Sequence, residues 1–161
     1  GIDADEIKKA IGTFSGAKRR LDEHINRPGM TYIDDYAHHP AELAAAISSI
    51  REMFPERHLT AVFQPHLYTR TRDFYQEFAN SLSLLDEVIL VDIYPARELP
   101  IPGVTSELIY NNLREGIQKR MCHKDEILDI VREGEFQVLI TLGAGDIDNY
   151  VPEITEILNK K

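Results

Sequence analysis

The sequence predicts an α/β fold of the Rossmann-like type, in which a mostly parallel sheet carries helices on both faces. Short apolar segments alternate along the chain with longer segments in which apolar residues recur every three or four positions. Several short segments, such as 59–63 and 87–93, are apolar almost throughout, as is typical of parallel strands covered on both faces. The length of 161 residues suits one domain of this kind.

The first part of the chain predicts a helix followed by two strands. A helical repeat of apolar residues runs through 1–16, and Ser15-Gly16 would end it. Strands are expected over 19–26 and 30–35, on either side of a Pro-Gly turn at residues 26–29. The apolar residues of this helix are Ile2, Ile7, Ile11 and Phe14.

The middle of the chain predicts a helix, a strand and a second helix. Pro40 would begin the first helix, because proline is well tolerated at the first helical position, and Pro55 would end it. A strand over 59–63 and a helix over about 70–83 follow, and we expect a threonine just before the second helix to cap it. The candidate caps are Thr69 and Thr71.

The same alternation continues to the last residues of the chain. The proline-rich stretch 95–103 is expected to be a loop, and the apolar segments around it predict strands and helices in turn. The expected elements are a strand over 87–93, a helix over about 105–114, a strand over 117–121, a helix over 123–133, a strand over 137–142 and a helix over about 146–159.

Composition excludes several classes of function. The formal net charge of −9 argues against a nucleic-acid partner, since binding a phosphate backbone needs a clustered cationic surface. The single cysteine, Cys122, excludes an internal disulfide and a cysteine-rich zinc site. No apolar run reaches the roughly 18 residues that a membrane span needs, and no signal-peptide pattern begins the chain. We therefore expect no membrane association and a cytoplasmic location.

The candidate ligand-binding loops follow the predicted strands. Ligands of open parallel sheets bind beyond the carboxyl ends of the strands, here after residues 35, 63, 93 and 142. The first loop, 34–40, places two carboxylates, a phenol and two imidazoles directly before a helix. These groups could bind a ligand, or they could support the turn and cap the helix. A transition-metal site is the weaker alternative, because the histidines are adjacent and no cysteine accompanies them.

The second loop places two arginines at the start of a predicted helix. The helix dipole disfavours cations at this end and favours anions, so the placement suggests that an anionic ligand approaches Arg70. Arg72 could instead pair with Asp73 or Glu77. The fourth loop, 143–146, has only half of a dinucleotide-binding fingerprint, and we expect a tight turn there rather than an NAD site.

Taken in order, these loops resemble the C-terminal domain of the Mur ligases. The resemblance covers essentially the whole chain, and four motifs in one order are more specific than any single motif. Residues 14–20 resemble the hinge of that family, so 1–16 would be the final helix and hinge of its central ATPase domain and 17–161 the C-terminal, amino-acid-binding domain. The motifs are Asp34-Asp35-Tyr36-Ala37-His38-His39-Pro40, Phe63-Gln64-Pro65-His66 with Tyr68-Thr69-Arg70-Thr71, Tyr94-Pro95-Ala96-Arg97-Glu98 and Leu142-Gly143-Ala144-Gly145-Asp146.

The resemblance implies an ATP-dependent ligase that joins L-alanine to UDP-N-acetylmuramate in peptidoglycan precursor synthesis. ATP would phosphorylate the substrate carboxylate, the amine of L-alanine would attack the acyl phosphate, and inorganic phosphate would leave. In such ligases the central domain binds most of the ATP and Mg²⁺. This chain contains no Gly-x-x-x-x-Gly-Lys-[Ser/Thr] loop, so we expect no complete catalytic site in it and no activity from it alone.

The resemblance also implies a pocket for the incoming amino acid. Arg70 matches the arginine that pairs with the carboxylate of the amino acid, and a guanidinium fork suits that group. Tyr36, His38 and His66 match residues that line the same pocket. His38 could also help to keep the amine deprotonated, since imidazole titrates near neutral pH.

Two further residues are implied to face the nucleotide. Arg20 matches a hinge arginine that reaches the nucleotide, and Asp35 matches an aspartate that either binds the ribose or orients its own loop. No metal-ligating residue is implied for this chain.

Two alternatives remain open at the level of sequence. The sibling ligase that recycles murein tripeptide has a similar first loop, although residues 63–71 favour the L-alanine ligase. A free-standing doubly wound module could instead bind a divalent cation through Asp34 and Asp35. Such a module would need a further acidic or lysine position at a later strand end, for which Asp92 is a weak candidate.

Overall fold

The computed structural model describes residues 17–161 together with residues 3, 6 and 8, and its architecture confirms the predicted α/β class. Apart from those three residues, the helix predicted over 1–16 lies outside the described residues. The strands are β1 (Asp22–Arg27), β2 (Met30–Asp35), β3 (Leu59–Phe63), β4 (Glu87–Val91), β5 (Gln118–Cys122) and β6 (Val138–Leu142). The helices are α1 (Pro40–Met53), α2 (Tyr68–Leu82), α3 (Glu107–Tyr110), α4 (Ile127–Glu133) and α5 (Val151–Asn159).

The strands form one sheet in the order β1-β2-β6-β3-β4-β5. Every neighbouring pair is parallel except β1 and β2, which form an antiparallel hairpin across the predicted Pro-Gly turn. Strands β2, β3 and β6 are buried along their whole length, as expected where helices cover both faces.

The two faces of the sheet belong to two separate apolar clusters. In β6, Val138, Ile140 and Leu142 pack on the side of α1, α2 and α3. Leu139, between them, points to the opposite side, where α4 and α5 pack. This alternation follows from the two-residue repeat of a strand, and it gives the central strands a layer of side chains on each face.

Three of the later helices differ from the sequence prediction. The helix expected over 123–133 begins as a 3-10 helix over Lys124–Glu126 before α4. The helix expected over about 105–114 is reduced to α3, because Asn111 and Asn112 are poor helix formers and Gly116 has a φ of 83°. The helix expected over 146–159 begins as a 3-10 helix over Asp146–Tyr150 before α5. Within the described residues, no helix is long and apolar enough to cross a membrane.

Candidate functional site

The predicted loops meet at the carboxyl edge of the sheet. Beyond the ends of β3 and β4, His66 and Tyr94 continue the parallel pairing as an isolated bridge. The amide of Tyr94 donates to the carbonyl of Pro65 at 2.8 Å, and the amide of Leu67 donates to the carbonyl of Tyr94 at 2.9 Å. These bonds fix the second loop, which follows β3, and the third loop, which follows β4, side by side.

Four aromatic and imidazole rings form a row along this edge. The ring centroid of Tyr36 lies 5.0 Å from that of His38, and His38 lies 5.9 Å from His66. His66 stacks on Tyr94 at 5.6 Å. The structure therefore brings together three predicted pocket residues from two different loops, Tyr36, His38 and His66, and adds Tyr94 from a third.

Arg70 lies in the first turn of α2 and points back toward this row. Its Nη1 atom is 3.4 Å from the carbonyl oxygen of His38 and 3.5 Å from Nδ1 of His66, both long for hydrogen bonds. Among the described residues, no carboxylate oxygen lies within 4.0 Å of its guanidinium. Arg72, by contrast, forms the expected ion pair with Asp73 at 2.7 Å. Arg70 thus carries a positive charge without a carboxylate partner in this part of the chain.

The environment of His66 favours its neutral form. Burial lowers the pKa of His66 below 6.5, and the nearby charges of Arg70 and His38 lower it further. Since a guanidinium can only donate, Nδ1 of His66 faces Arg70 as an acceptor, which leaves the proton on Nε2. His66 can therefore donate a hydrogen bond through Nε2 without adding a second positive charge.

The N-terminus of α2 is capped by a residue from another loop. The carboxylate of Glu98 accepts hydrogen bonds from the amide of Thr69 at 3.0 Å and from its hydroxyl at 2.5 Å. These bonds lower the pKa of Glu98. The predicted threonine cap is wrong, because the helix begins at Tyr68 and the Thr71 hydroxyl donates backward to the carbonyl of Leu67. Glu98 supplies the negative charge that the start of this helix favours.

Asp35 organises its own loop in this structure. It is 3% exposed, and its two carboxylate oxygens accept the amides of Leu21 and Ala37, each at 2.7 Å. Of the two roles that the sequence resemblance allows, this geometry favours orientation of the loop. The side chain of Arg20 is exposed to solvent.

Asp34 is not directed toward a ligand. It is 1% exposed, accepts the Thr141 hydroxyl at 2.7 Å and forms an ion pair with Arg19 at 3.0 Å. Neither aspartate of the first loop therefore offers a free carboxylate to a cation. Among the residues that the structure describes, no group of three or more potential metal ligands occurs.

The glycines after β6 allow three loops to pack closely. A Cβ atom on Gly145 would lie 2.7 Å from Tyr94 and still closer to the amide of Gln64. The Gln64 side chain donates to Asp146 at 2.7 Å and accepts the amide of Ile147 at 3.0 Å. The turn is tight, as the sequence predicts, and the groups that approach it closely belong to the protein itself.

Sequence reasoning missed the roles of Arg19, Gln64 and Glu98. Gln64 and Glu98 belong to the motifs and Arg19 to the hinge-like segment 14–20, but their partners are 15 to 129 residues away in sequence. A lone sequence gives no signal for such pairings. The charge of Glu98 within the proline-rich loop could have suggested a helix cap, but not which helix it caps.

Comparison with known proteins identifies similar chains along the full length. The family described as Mur ligase, glutamate ligase domain, matches residues 19–145. A UDP-N-acetylmuramate–L-alanine ligase of Phocaeicola vulgatus is 62% identical over all 161 residues, which span 35% of that relative. The ligase of the same name from Porphyromonas gingivalis is 50% identical over 159 residues, 98% of this chain and 35% of that relative.

Solved structures share the fold. The UDP-N-acetylmuramate–alanine ligase of Thermotoga maritima matches with a TM-score of 0.80 and 26% identity, covering 99% of this chain and 34% of that chain. A murein peptide ligase of Psychrobacter arcticus matches with a TM-score of 0.71 over 100% of this chain and 34% of that chain. At 18% identity, the second likeness shows the fold alone.

Proposed function

The chain belongs to the Mur ligase family, as its glutamate ligase domain, and from this premise we propose that it is the C-terminal, amino-acid-binding domain of a ligase that joins L-alanine to UDP-N-acetylmuramate. The relatives named for this reaction match the chain from end to end. Because the chain spans only 35% of their length, the reaction itself is a proposal for the whole protein. Residues 17–161 would form the domain, and 1–16 would complete the preceding one.

The observation that carries the proposal is the guanidinium of Arg70 at the ring-lined edge, which has no carboxylate partner among the residues that the structure describes. A free amino acid presents a carboxylate, and an arginine fork binds a carboxylate through two parallel hydrogen bonds. The row of His38, His66 and Tyr36 lies directly beside Arg70 and offers donors and apolar ring surface. These side chains would hold L-alanine by its carboxylate.

The neutral state of His66 supports an orientation in which the carboxylate of L-alanine faces Arg70 and His66. A neutral imidazole donates to the carboxylate and does not repel the amine of the amino acid. His38 lies 3.0 Å from the Tyr36 carbonyl and 3.2 Å from the Glu42 carboxylate, so its ring is held in place at the pocket rim. We propose that His38 positions the amino group, which must be neutral to attack a carbonyl carbon.

ATP would supply the phosphoryl group that activates the carboxylate of UDP-N-acetylmuramate. In this chain, exposed Arg20 fits a contact with the nucleotide, whereas Asp35 fits a role in holding the loop beside it. The described residues offer no cluster for Mg²⁺, so we propose that ATP and Mg²⁺ bind mainly in the rest of the ligase. Since the reaction consumes ATP, the proposal includes a cytoplasmic location.

The two alternatives are less well supported. The relatives that match at 50% identity or more carry the name of the L-alanine ligase, whereas the murein peptide ligase shares only the fold. A module that binds a divalent cation through Asp34 and Asp35 conflicts with the hydrogen bonds and the ion pair that already engage both carboxylates.

Replacing Arg70 by alanine in the whole ligase tests the proposal. The carboxylate of L-alanine would lose its charged partner, and a charge-assisted bond of about 1.5–3 kcal/mol corresponds to roughly ten- to 150-fold in affinity. We expect the KM for L-alanine to rise by about this factor while the KM for ATP changes little. Steady-state kinetics with each substrate varied in turn measures both constants.

Arg72→Ala is the matched control, because Arg72 lies on the same helix but pairs with Asp73 in solvent. It should change the KM for L-alanine much less than Arg70→Ala does. If Arg70→Ala leaves saturation by L-alanine unchanged, Arg70 is not the carboxylate anchor. His38 and His66 would then be the remaining candidates.

A further inference from the structure

Arg19 adopts a backbone conformation that is unusual for a residue with a side chain. Its φ is 58°, and Leu21, two residues later, has a φ of 45°. Left-handed conformations are strained for residues other than glycine. Two such residues within a three-residue segment persist only where surrounding contacts hold them. The segment 17–21 is therefore held in place by contacts that Arg19 and Leu21 make.

The guanidinium of Arg19 joins two parts of the carboxyl edge. Its Nε donates to Asp34 at the end of β2 at 3.0 Å. Its two terminal nitrogens donate to Asp148 at 3.2 Å and to the carbonyl of Gly143, after β6, at 2.6 Å. Only 17% of the side chain is exposed, so these bonds are largely shielded from water.

The ion pair with Asp34 has a structural role. The carboxylate is buried and also accepts the Thr141 hydroxyl, which is 3.1 Å from the Tyr32 hydroxyl. Removal of Arg19 alone would leave a buried carboxylate without a charged partner, which destabilises a fold. This role explains the contact with Asp34, but it does not involve the pocket.

A second set of contacts connects Arg19 to the pocket. The guanidinium carbon lies 5.0 Å from the ring centroid of Tyr36, within the range of a cation–π interaction. The carbonyl of Arg19 also accepts the amide of Tyr36 at 2.9 Å. Tyr36 is 36% exposed and lies at the end of the ring row. Arg19 therefore holds this outermost ring of the row through two contacts, one with the backbone amide of Tyr36 and one with its ring.

We propose that Arg19 is a positioning residue, which sets Tyr36 for the incoming amino acid and ties the segment 17–21 to the amino-acid pocket. Arg19 touches neither the proposed carboxylate site at Arg70 nor the row beyond Tyr36, so it acts through Tyr36. The inference rests on the proposed function, because it takes Tyr36 as a wall of the L-alanine pocket.

Four variants of the whole ligase separate positioning from fold stability. Arg19→Met removes the charge, and Arg19→Met with Asp34→Asn also removes the buried carboxylate that would otherwise be unpaired. Arg19→Lys keeps a cation opposite Asp34 but lacks the planar fork that reaches several acceptors at once. Arg132→Met is the control, since Arg132 pairs with Asp129 in solvent near the start of β2.

The measurements are the KM values for L-alanine and UDP-N-acetylmuramate, the thermal midpoint, and hydrogen exchange at the Tyr36 amide. In the double variant we expect the KM for L-alanine to rise by about fivefold or more, with the KM for UDP-N-acetylmuramate unchanged. The Tyr36 amide should exchange faster. Compared with Arg19→Met, Arg19→Lys should recover more of the wild-type thermal midpoint than of the wild-type KM for L-alanine.

The proposal is overturned if the double variant keeps the wild-type KM for L-alanine, or if both KM values rise by the same factor. Either result would mean that Arg19 serves the fold alone. Failure of the proposed function is seen separately, because the wild-type ligase would then not use L-alanine before any variant is made.

Discussion

At the scale of single residues, the proposed amino-acid site depends on the protonation state of His66. His66 lies between Tyr94 and Arg70, and both burial and the adjacent cation disfavour its charged form. A pocket that already contains Arg70 needs a donor there rather than a second cation. The protonation state of His66 therefore affects the stability of the fold and the binding of an amino acid together.

The lowered pKa of His66 predicts how stability depends on pH. In the window from the folded pKa up to the ordinary value of 6.5, the unfolded chain binds more protons, so stability falls as the pH drops through it. His66→Gln removes this contribution. Between about pH 7.5 and about pH 5.5, the wild type should lose more unfolding free energy than His66→Gln, as measured by urea denaturation.

His123 provides a control of opposite sign. Its Nδ1 atom lies 2.7 Å from the Asp92 carboxylate, which raises the pKa of His123. The stability that this pair contributes is present below 6.5 and is lost as the pH rises through the higher folded value. His123→Gln should therefore shift the pH profile in the other direction and only weakly, because the pair is exposed. Equal profiles for both variants would contradict the assignment.

Single residues also show where sequence reasoning fails at the site. The motif containing Asp34 and Asp35 predicts polar groups at a strand end, and that position is correct. The sequence does not show that both carboxylates are buried and engaged, because their partners Arg19, Leu21 and Thr141 are set by the fold. Residue type and position along a strand are local properties, whereas direction and pairing depend on the whole sheet.

At the scale of elements, the start of α2 connects the second and third loops. Arg70 needs the first turn of this helix to be formed, and Glu98 stabilises that turn from the neighbouring loop. The conflict between a cation and the helix dipole at this end is thus offset by a carboxylate within the chain. The same bond keeps the proline-rich loop beside the pocket.

Glu98→Ala should loosen this arrangement. Without the carboxylate, the first turn of α2 loses its cap, so Arg70 is held less firmly. We expect a lower thermal midpoint and a rise in the KM for L-alanine that is smaller than the rise caused by Arg70→Ala. Arg97→Ala, in the same loop but exposed, should change neither quantity. An unchanged KM in Glu98→Ala would show that the cap does not support the pocket.

Periodicity predicts the major elements well and the minor ones poorly. The strand over 59–63 and the helix that begins at Pro40 have clear apolar patterns, and Pro55 marks the end of the helix. The structure matches both elements closely. The segment 105–114 has the apolar repeat of a helix, yet only Glu107–Tyr110 forms one. Tight turns that lead to β5 replace the rest of the predicted helix. The apolar pattern of a sequence does not show where tertiary packing will override a helical preference.

At the scale of the whole molecule, the two apolar clusters share the same strands. Because β3, β4 and β6 contribute residues to both faces, neither layer of helices can detach without exposing the central strands. We expect the chain to unfold in one cooperative transition without a ligand. Calorimetry and circular dichroism should give coincident midpoints, and two resolved transitions would contradict a single unit.

The strand order also has a consequence for synthesis on the ribosome. Strand β6 lies between β2 and β3, although it is the last of the six to be translated. Until it emerges, the hairpin of β1 and β2 cannot join the half-sheet of β3, β4 and β5, and the edges of β2 and β3 remain unpaired. The nascent chain should therefore stay prone to aggregation until residues 138–142 have left the ribosome, and chaperones that bind exposed strand edges should protect it during that time.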